Sequence, residues 1–432
     1  MKKKISYFLI LLITTYSSFA ISHFNINIQR GGVKNIVIAI VGFTGYQGID
    51  IVSIITNNFN SCDGFKILDE SKHPENISID NTPNLNLWKV ANADAVLIGE
   101  IKKKDGEIEL VYRLWDTVMK KQLSGKSITI TQNNWQRVAH IISDNIYKSF
   151  SGDNGHFDTK IAYIAETGPS TKKTRRLAIM DQDGNNHQYL TNGSKTILTP
   201  RFSPNGEKIV YMSYENNMAK LYTHNILSGE EKTVFALDGI SSAPRFSPKG
   251  DSIIMAISKN GHTNIHTGSL KTSKIKQLTR YRAISTSPSY SPDSKHIVFT
   301  SNRGGIPQIY TMNVDGSNVK RISFDKGSYT APSWSPRGDY IAFTKSYNGS
   351  FFIGVMRPDG TGERILAKGF MVEGANWSPN GRMIIFSRQE KIGARKLRSK
   401  NKIVSLDIVS GYERNINTPQ EAIDPTWSPF LH

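Results

Sequence analysis

The chain has 432 residues, with 54 Lys and Arg against 36 Asp and Glu, for a formal net charge of +18. That length implies two domains, and the one cysteine, Cys62, excludes an intrachain disulfide. The positive balance points to anionic surroundings. The chain opens on Lys2–Lys4, then an apolar run Ile5–Ile13, then Ser18-Phe19-Ala20 with small residues at the cleavage positions. This reads as a secretory signal over residues 1–20, cut after Ala20. The apolar run is too short to span a bilayer, Ile21 rather than a cysteine follows the cut, and no second apolar span appears. The expectation is a soluble, exported monomer with no lipid anchor, no membrane span and no nucleic-acid partner.

In residues 21–34, Phe24, Ile26 and Ile28 alternate with Asn25, Asn27 and Gln29. That is a strand able to augment another sheet edge, or to dock on this chain's own first domain. Residues 35–150 read as mixed α/β. A buried strand Ile36–Phe43 precedes a helix Gln47–Asn58, a strand Phe65–Asp69 and a short helix Leu85–Ala91. Strands follow at Ala95–Ile101, Ile108–Trp115 and Gln122–Thr131. A last helix, Asn133–Phe150, carries Val138, Ile141, Ile142 and Ile146 on one stripe. Cys62 is expected as a buried small residue. Gly42, Gly45 and Gly48 after the first strand, with Asp69 ending the next, imitate a dinucleotide fingerprint. Their spacing is loose and the later strands run consecutively, so a tight turn is the preferred reading.

After a linker, residues 151–157, six copies of aromatic-Ser-Pro occupy residues 158–432. They are Phe202-Ser203-Pro204, Phe246-Ser247-Pro248, Tyr290-Ser291-Pro292, Trp334-Ser335-Pro336, Trp377-Ser378-Pro379 and Trp427-Ser428-Pro429. Proline-to-proline steps of 44, 44, 44, 43 and 50 residues match one four-stranded propeller blade. Five prolines are followed by hairpin chemistry, Asn205-Gly206 being the first, and then by an apolar pair such as Ile209/Tyr211 or Ile341/Phe343. Period two predicts one buried strand face. A third strand and a short fourth follow, for example Gln308–Val314 and Lys320–Ser323. The aromatic is read as a wedge between blades. Pro429 lacks its pair downstream, but Ile161/Tyr163 supply it, so the C-terminal strand should complete the blade begun near residue 158. The prediction is an α/β N-terminal domain plus an all-β six-bladed propeller closed by the C-terminal strand.

Catalytic motifs are wanting: there is no Gly-x-Ser-x-Gly, His-Glu-x-x-His or Cys-x-x-Cys. Gly125-Lys126-Ser127 lacks the upstream glycine of a phosphate loop. His262 and His266 have no third ligand nearby, and Asp181-Gln182-Asp183-Gly184 lacks the closing glutamate of a calcium loop. No catalytic residue, metal or cofactor is therefore assigned. Binding is expected at the channel mouth, at Thr199, Ala243, Thr286, Ser287, Thr330, Ala331, Glu373, Gly374 and Asp424, small and polar residues suited to gripping a protein loop. The cluster Lys391, Arg395, Lys396, Arg398, Lys400 and Lys402 in the enlarged fifth repeat is either a solvated loop or a contact for peptidoglycan or another anionic envelope surface.

Ala95-Val96-Leu97-Ile98-Gly99, Asn134-Trp135-Gln136-Arg137, the x-Pro-x-Trp-Ser-Pro-x-Gly repeats and the ending Trp427-Ser428-Pro429-Phe430-Leu431 together resemble the TolB family of the periplasmic Tol–Pal system. The resemblance covers essentially the whole chain. It implies a non-enzymatic adaptor that supports outer-membrane integrity and constriction at cell division. The propeller mouth would bind the lipoprotein Pal, with contact positions at Ala243 and Thr286; the family's glutamate beside the latter is Ser287 here, and its histidine upstream of Ala243 is Ile240. The mature N-terminus would bind TolA and switch between docked and free with Pal occupancy; Gln29 stands where the family usually has an acid. The alternatives are a peptidase-like hydrolase, for which no Ser/Asp/His domain is found, and a glycan-binding propeller.

Overall fold

The computed structural model describes residues 35–431 except 44–48, 105–106, 132, 170–171, 216–217, 238 and 393–397. The signal and the segment bearing Phe24, Ile26 and Ile28 lie outside the described residues, as do Gly45 and Gly48.

The first domain is one five-stranded sheet with helices on both faces. Its elements are β1 (Ile36–Gly42), α1 (Ile51–Asn60), β2 (Phe65–Ile67), α2 (Leu85–Val90), β3 (Ala95–Lys104), β4 (Glu107–Asp116), β5 (Lys121–Ile130) and α3 (Trp135–Ser151). The sheet order is β2-β1-β3-β4-β5. β1 pairs parallel with β2 and β3, while β3-β4-β5 is antiparallel. Alternation decides the layers: Ile38, Ile40 and Leu97 face the α1–α3 side, whereas Ala39, Val41, Val96 and Ile98 face Trp88 of α2. α1 starts at its cap, where the Asp50 side chain accepts from Ser53 N–H at 3.0 Å. β3 and β4 run longer than the sequence reading, and Ile141 is only half-buried while Val138, Ile142 and Ile146 are buried.

Each glycine-fingerprint residue that is described has a structural task. Gly42 has φ +84°, and a Cβ there would sit 2.1 Å from the Gly99 carbonyl oxygen of β3. Asp69 caps a 3-10 turn, accepting from Ser71 N–H at 2.9 Å.

The rest is a ring of six four-stranded blades. Their innermost strands are Ile197–Phe202, Ile240–Phe246, Ser285–Tyr290, Ser328–Trp334, Met371–Trp377 and Glu421–Trp427, for blades 1 to 6. The last pairs with Lys160–Thr167, so one blade joins the two ends of the repeat region, with Trp427 opposite Ile161. Such closure ties the two ends into one blade and leaves the ring only the short edges of its blades. The repeated serine has a local reason: its hydroxyl accepts the N–H that starts the second strand. Ser203 receives Lys208 N–H, Ser291 His296 N–H, Ser378 Met383 N–H and, across the closure, Ser428 Lys160 N–H, each at 2.9 Å.

Packing corrects one expectation and bears out another. The second strands are buried on both faces, not one: Ile209 and Tyr211 are covered, and so are Val210 and Met212 between them. A blade is sandwiched between two neighbours, so period two carries no polar side. The aromatics do wedge between blades: Trp377 and Trp427 are buried, and the Trp377 indole N–H donates to the Ser333 carbonyl of the preceding blade at 2.9 Å. Phe202, Phe246, Tyr290 and Trp334 also pack against clusters shared by two blades, but they are half-buried and open on one end of the channel.

Candidate functional site

Chain direction gives the propeller two unlike faces. At the lower face lie the Ser-Pro turns and the turns between third and fourth strands. At the upper face lie the loops leading into innermost strands and the hairpins between second and third strands. The first domain sits on the lower face. Asn380 Nδ2 donates to the Asn154 carbonyl at 3.0 Å, Arg337 pairs with Asp153 at 2.9 Å, and Gln182 Nε2 donates to Asn58 Oδ1 at 3.0 Å. The upper face is clear of these contacts.

The expected rim residues lie within the upper half of the innermost strands rather than in the loops before them. Thr199, Ala243, Ser287, Ala331, Gly374 and Asp424 are one structural position repeated in six blades. Each has positive φ, 50° to 52° for the five non-glycines and 75° for Gly374. Each marks the break in register between first and second strands, for example between Thr330 and Ser333 or between Ile423 and Thr426. These are β-bulges, which re-aim the backbone at sites of closure or binding. Thr286, Thr330 and Glu373 each stand one residue earlier. Desolvation raises the Glu373 carboxyl above its usual range, and neighbouring Asp424 adds to it.

Outside this ring the upper face exposes large apolar side chains that the repeat pattern did not reveal. Tyr281, Ile284, Phe324 and Phe370 come from lead-in loops, and Ile306 and Tyr347 from second–third hairpins. Phe324 is 71% exposed. Cations lie against these rings: Arg303 is 5.1 Å from the Tyr281 centroid, Arg321 5.1 Å from Phe324, and Lys391 3.9 Å from Phe370. The only sequence signal of Tyr281, Ile284, Phe324 and Phe370 was the position just before an innermost strand, where no repeat rule applies. The basic cluster rises from the same face on strands Met383–Ile392 and Arg398–Asp407. Lys391 and Lys400 are exposed, Lys402 pairs with Glu390 at 2.6 Å, and Arg395 and Lys396 lie outside the described residues. An aromatic, cationic, convex-rimmed face can hold an acidic or amphipathic protein surface; it brings no nucleophile and base together.

One metal-like cluster forms where the domains meet. His140, Asp181 and Asp183 place ligand atoms within 4.8 Å of one another. Hydrogen bonding argues against a cation there. Arg414 donates to Gln182 Oε1 at 3.0 Å, so the Gln182 amide nitrogen faces Asn58 Oδ1. Asn58 Nδ2 must then face His140 Nδ1, at 3.0 Å. That leaves the imidazole proton on Nε2, pointing at Asp183 at 3.7 Å, where a metal would need a lone pair. Asp181 is already engaged by Lys160 at 2.7 Å and Asn186 at 2.6 Å. The turn read as a failed calcium loop is a post between domains. His262 and His266 join no such cluster among the described residues. Burial pushes the Cys62 thiol up to about 12, with Asp407 adding to it, so it is held protonated.

Comparison with known proteins agrees with this arrangement. The family described as "TolB amino-terminal domain" matches residues 24–123, and "TolB beta propeller domain" matches residues 147–431. The Tol-Pal system protein TolB of Paramagnetospirillum magneticum is 55% identical over 414 residues, covering 94% of this chain and 93% of that protein. Its counterpart in Rickettsia bellii is 46% identical, covering 98% of each. The crystal structure of TolB from Acinetobacter baumannii superposes with a TM-score of 0.83 at 26% identity, covering 92% of this chain and 97% of that one. No helix among the described residues is long and apolar enough to cross a membrane.

Proposed function

The chain belongs to the TolB family of Tol-Pal system proteins, and from that premise we propose that it is a non-enzymatic periplasmic adaptor whose upper face binds Pal. The observation that carries this reading is the upper face itself, where six bulged strands frame the channel inside a rim of exposed aromatic and basic side chains. Buried aromatic anchors ringed by polar groups are how protein interfaces concentrate affinity. Ala243 and Thr286, the positions implied for Pal contact, stand at this bulge level, with Ser287, Thr330, Ala331, Glu373 and Asp424 around them. Thr199 closes the ring on blade 1. Residues 21–34, with Phe24, Ile26 and Ile28, are proposed to bind TolA by strand addition. Bridging the two partners would support outer-membrane integrity and constriction at division.

The test is calorimetric titration of the protein starting at Ile21 with the soluble domain of its own organism's Pal. One-to-one saturable binding is expected. Phe324→Ala should weaken it by roughly thirtyfold, the value of one hot-spot side chain near 2 kcal/mol, and Ala243→Arg should weaken it at least as much. Absence of heat with both proteins folded, or equal affinity in both variants, would remove Pal from this face. Deleting residues 21–34 should abolish capture of the TolA periplasmic domain and leave Pal binding intact.

A further inference from the structure

Below the bulges, the residue before each repeated aromatic turns into the channel. Around the ring these are Arg201, Arg245, Ser289, Ser333, Asn376 and Thr426, on blades 1 to 6 in that order, and all six line a single cavity of about 390 Å³ that opens through the Ser-Pro turns at the lower face. Two adjacent blades thus contribute guanidinium groups at one level of an enclosed channel. Their environment is short of negative charge. No ion pair or hydrogen bond engages the Arg245 guanidinium among the described residues, and the charged group that acts on it is Arg201, which repels it. Arg201 donates to its neighbouring Pro200 carbonyl at 2.6 Å and feels Asp424, which lies one bulge higher.

A second observation on the opposite wall points the same way. Blade 5 stands diametrically across a six-bladed ring from blade 2, and Asn376, buried with 7% exposure, lines this space and carries an amide nitrogen with no hydrogen-bond partner. A buried donor left unpaired is costly, so it is a group waiting for an acceptor. Between these walls Ser289 Oγ accepts from Trp334 N–H at 3.2 Å, which leaves its own hydrogen free to point inward. The level is therefore a ring of donors: two guanidinium groups, an amide and three hydroxyls, with the channel's acids Glu373 and Asp424 displaced toward the upper face.

We propose that the lower channel is a binding site for a small dissolved oxyanion of the phosphate class, gripped by Arg245 and Arg201 on one wall and Asn376 on the other. Two charges suit two repelling arginines, and tetrahedral oxygens reach donors converging from several blades. The site is at the opposite mouth from the face proposed for Pal, so it stands or falls independently of that reading.

The experiment is isothermal titration of the whole mature protein with inorganic phosphate, against sodium chloride at equal ionic strength. A saturable one-to-one isotherm is expected. Arg245→Ala should weaken it by about tenfold or more, the worth of one charge-assisted hydrogen bond, and Asn376→Ala by a smaller factor. Because Arg245 has no partner to lose, Arg245→Ala in phosphate-free buffer should melt no lower than the parent, and Arg245→Gln serves as a second variant of similar reach. Heats no larger than those of chloride, or an isotherm unchanged in Arg245→Ala and Arg245→Gln, would overturn the proposal. So would an Arg245→Ala protein that melts lower without phosphate and keeps the parent's response to it, since that would make the arginine part of the core.

Discussion

Thr199, Ala243, Ser287, Ala331 and Asp424 hold φ of 50° to 52°, a region that costs an L-residue roughly 1–2 kcal/mol. Five residues of four side-chain types in one conformation mean that the ring's curvature imposes the bulge and the side chain tolerates it. Each of the five precedes a proline: Pro200, Pro244, Pro288, Pro332 and Pro425. Proline lacks the N–H that a bulge would leave unpaired, so it fits a strand only at such a break or an edge. Gly374 is the exception, followed by Ala375, and it supplies the conformation without strain. A Cβ added there would meet Asp424 Oδ1 only at 3.9 Å, an ordinary contact. Hence Ala331→Gly should stabilise the protein by about 0.5–1 kcal/mol and Gly374→Ala should destabilise it by a similar amount, the left-handed strain outweighing glycine's entropy. Urea midpoints for both variants check this; changes of the same sign would show that the backbone there relaxes. The x-Pro spacing was therefore a legible sign of the bulge. The exposed Phe324 and Tyr281 were not legible, because lead-in loops repeat in place but not in sequence.

At the scale of elements, the turn chemistry transferred well from sequence to structure because it is local. Asn205-Gly206 and its equivalents close the first hairpin, and third and fourth strands fall at Gln308–Asn313 and Lys320–Arg321. What failed was inference about faces, since burial of Val210 or Ile254 depends on a neighbouring blade distant in sequence. The linker between α3 and the first propeller strand shows the same limit. Its His156 packs 4.7 Å from Phe157 and 5.8 Å from Trp427, and burial lowers its pKa to about 3. Asp144, which accepts from Phe157 and Asp158 N–H at 2.8 and 2.9 Å, is raised by burial to about 6. The two act with opposite sign. Below pH 6.5 the unfolded chain protonates its histidine while folded His156 stays neutral, so its contribution to stability falls by about 1.4 kcal/mol per pH unit as pH drops toward 3. Folded Asp144 instead takes up a proton below pH 6, before its unfolded counterpart does, and adds stability as pH falls toward 3.8. In the parent these slopes offset one another between pH 6 and 4. His156→Gln should unmask the acid, so that the variant gains stability relative to the parent across that window. Urea unfolding at pH 7, 6, 5 and 4 would show the two curves converging or crossing on acidification, whereas parallel curves would mean that His156 is already protonated in the fold.

Over the whole molecule, sequence periodicity counts the blades and finds the closing strand, but it says nothing of how the first domain is attached. At its centre that attachment is a buried polar chain. Arg414 of blade 5 donates to both the side chain and the carbonyl of Gln182 at 3.0 and 3.1 Å, and Gln182 donates to Asn58 of α1 at 3.0 Å. Asn58 then donates to Ser143 Oγ at 2.9 Å and to His140 Nδ1, both on α3. Asn58, Gln182 and Ser143 have no exposed surface. The Asn58 and Gln182 side-chain amides are engaged at both ends, and such a chain is worth most where its groups are satisfied. The Gln182 side chain bonds to both domains, and an isosteric apolar replacement leaves an amide oxygen and a guanidinium N–H short of a partner at once. Gln182→Leu should therefore cost about 2–4 kcal/mol, from two orphaned groups at 1–3 kcal/mol each. The loss should fall on the junction rather than on either core. Scanning calorimetry of the parent is expected to give one cooperative transition, because propeller and first domain unfold as a coupled pair. In Gln182→Leu the endotherm should split, the first domain melting first. A single transition at the parent temperature would show that the domains are held by the Asp153 and Asn154 contacts alone, and that the buried amide chain orients them without stabilising the pair.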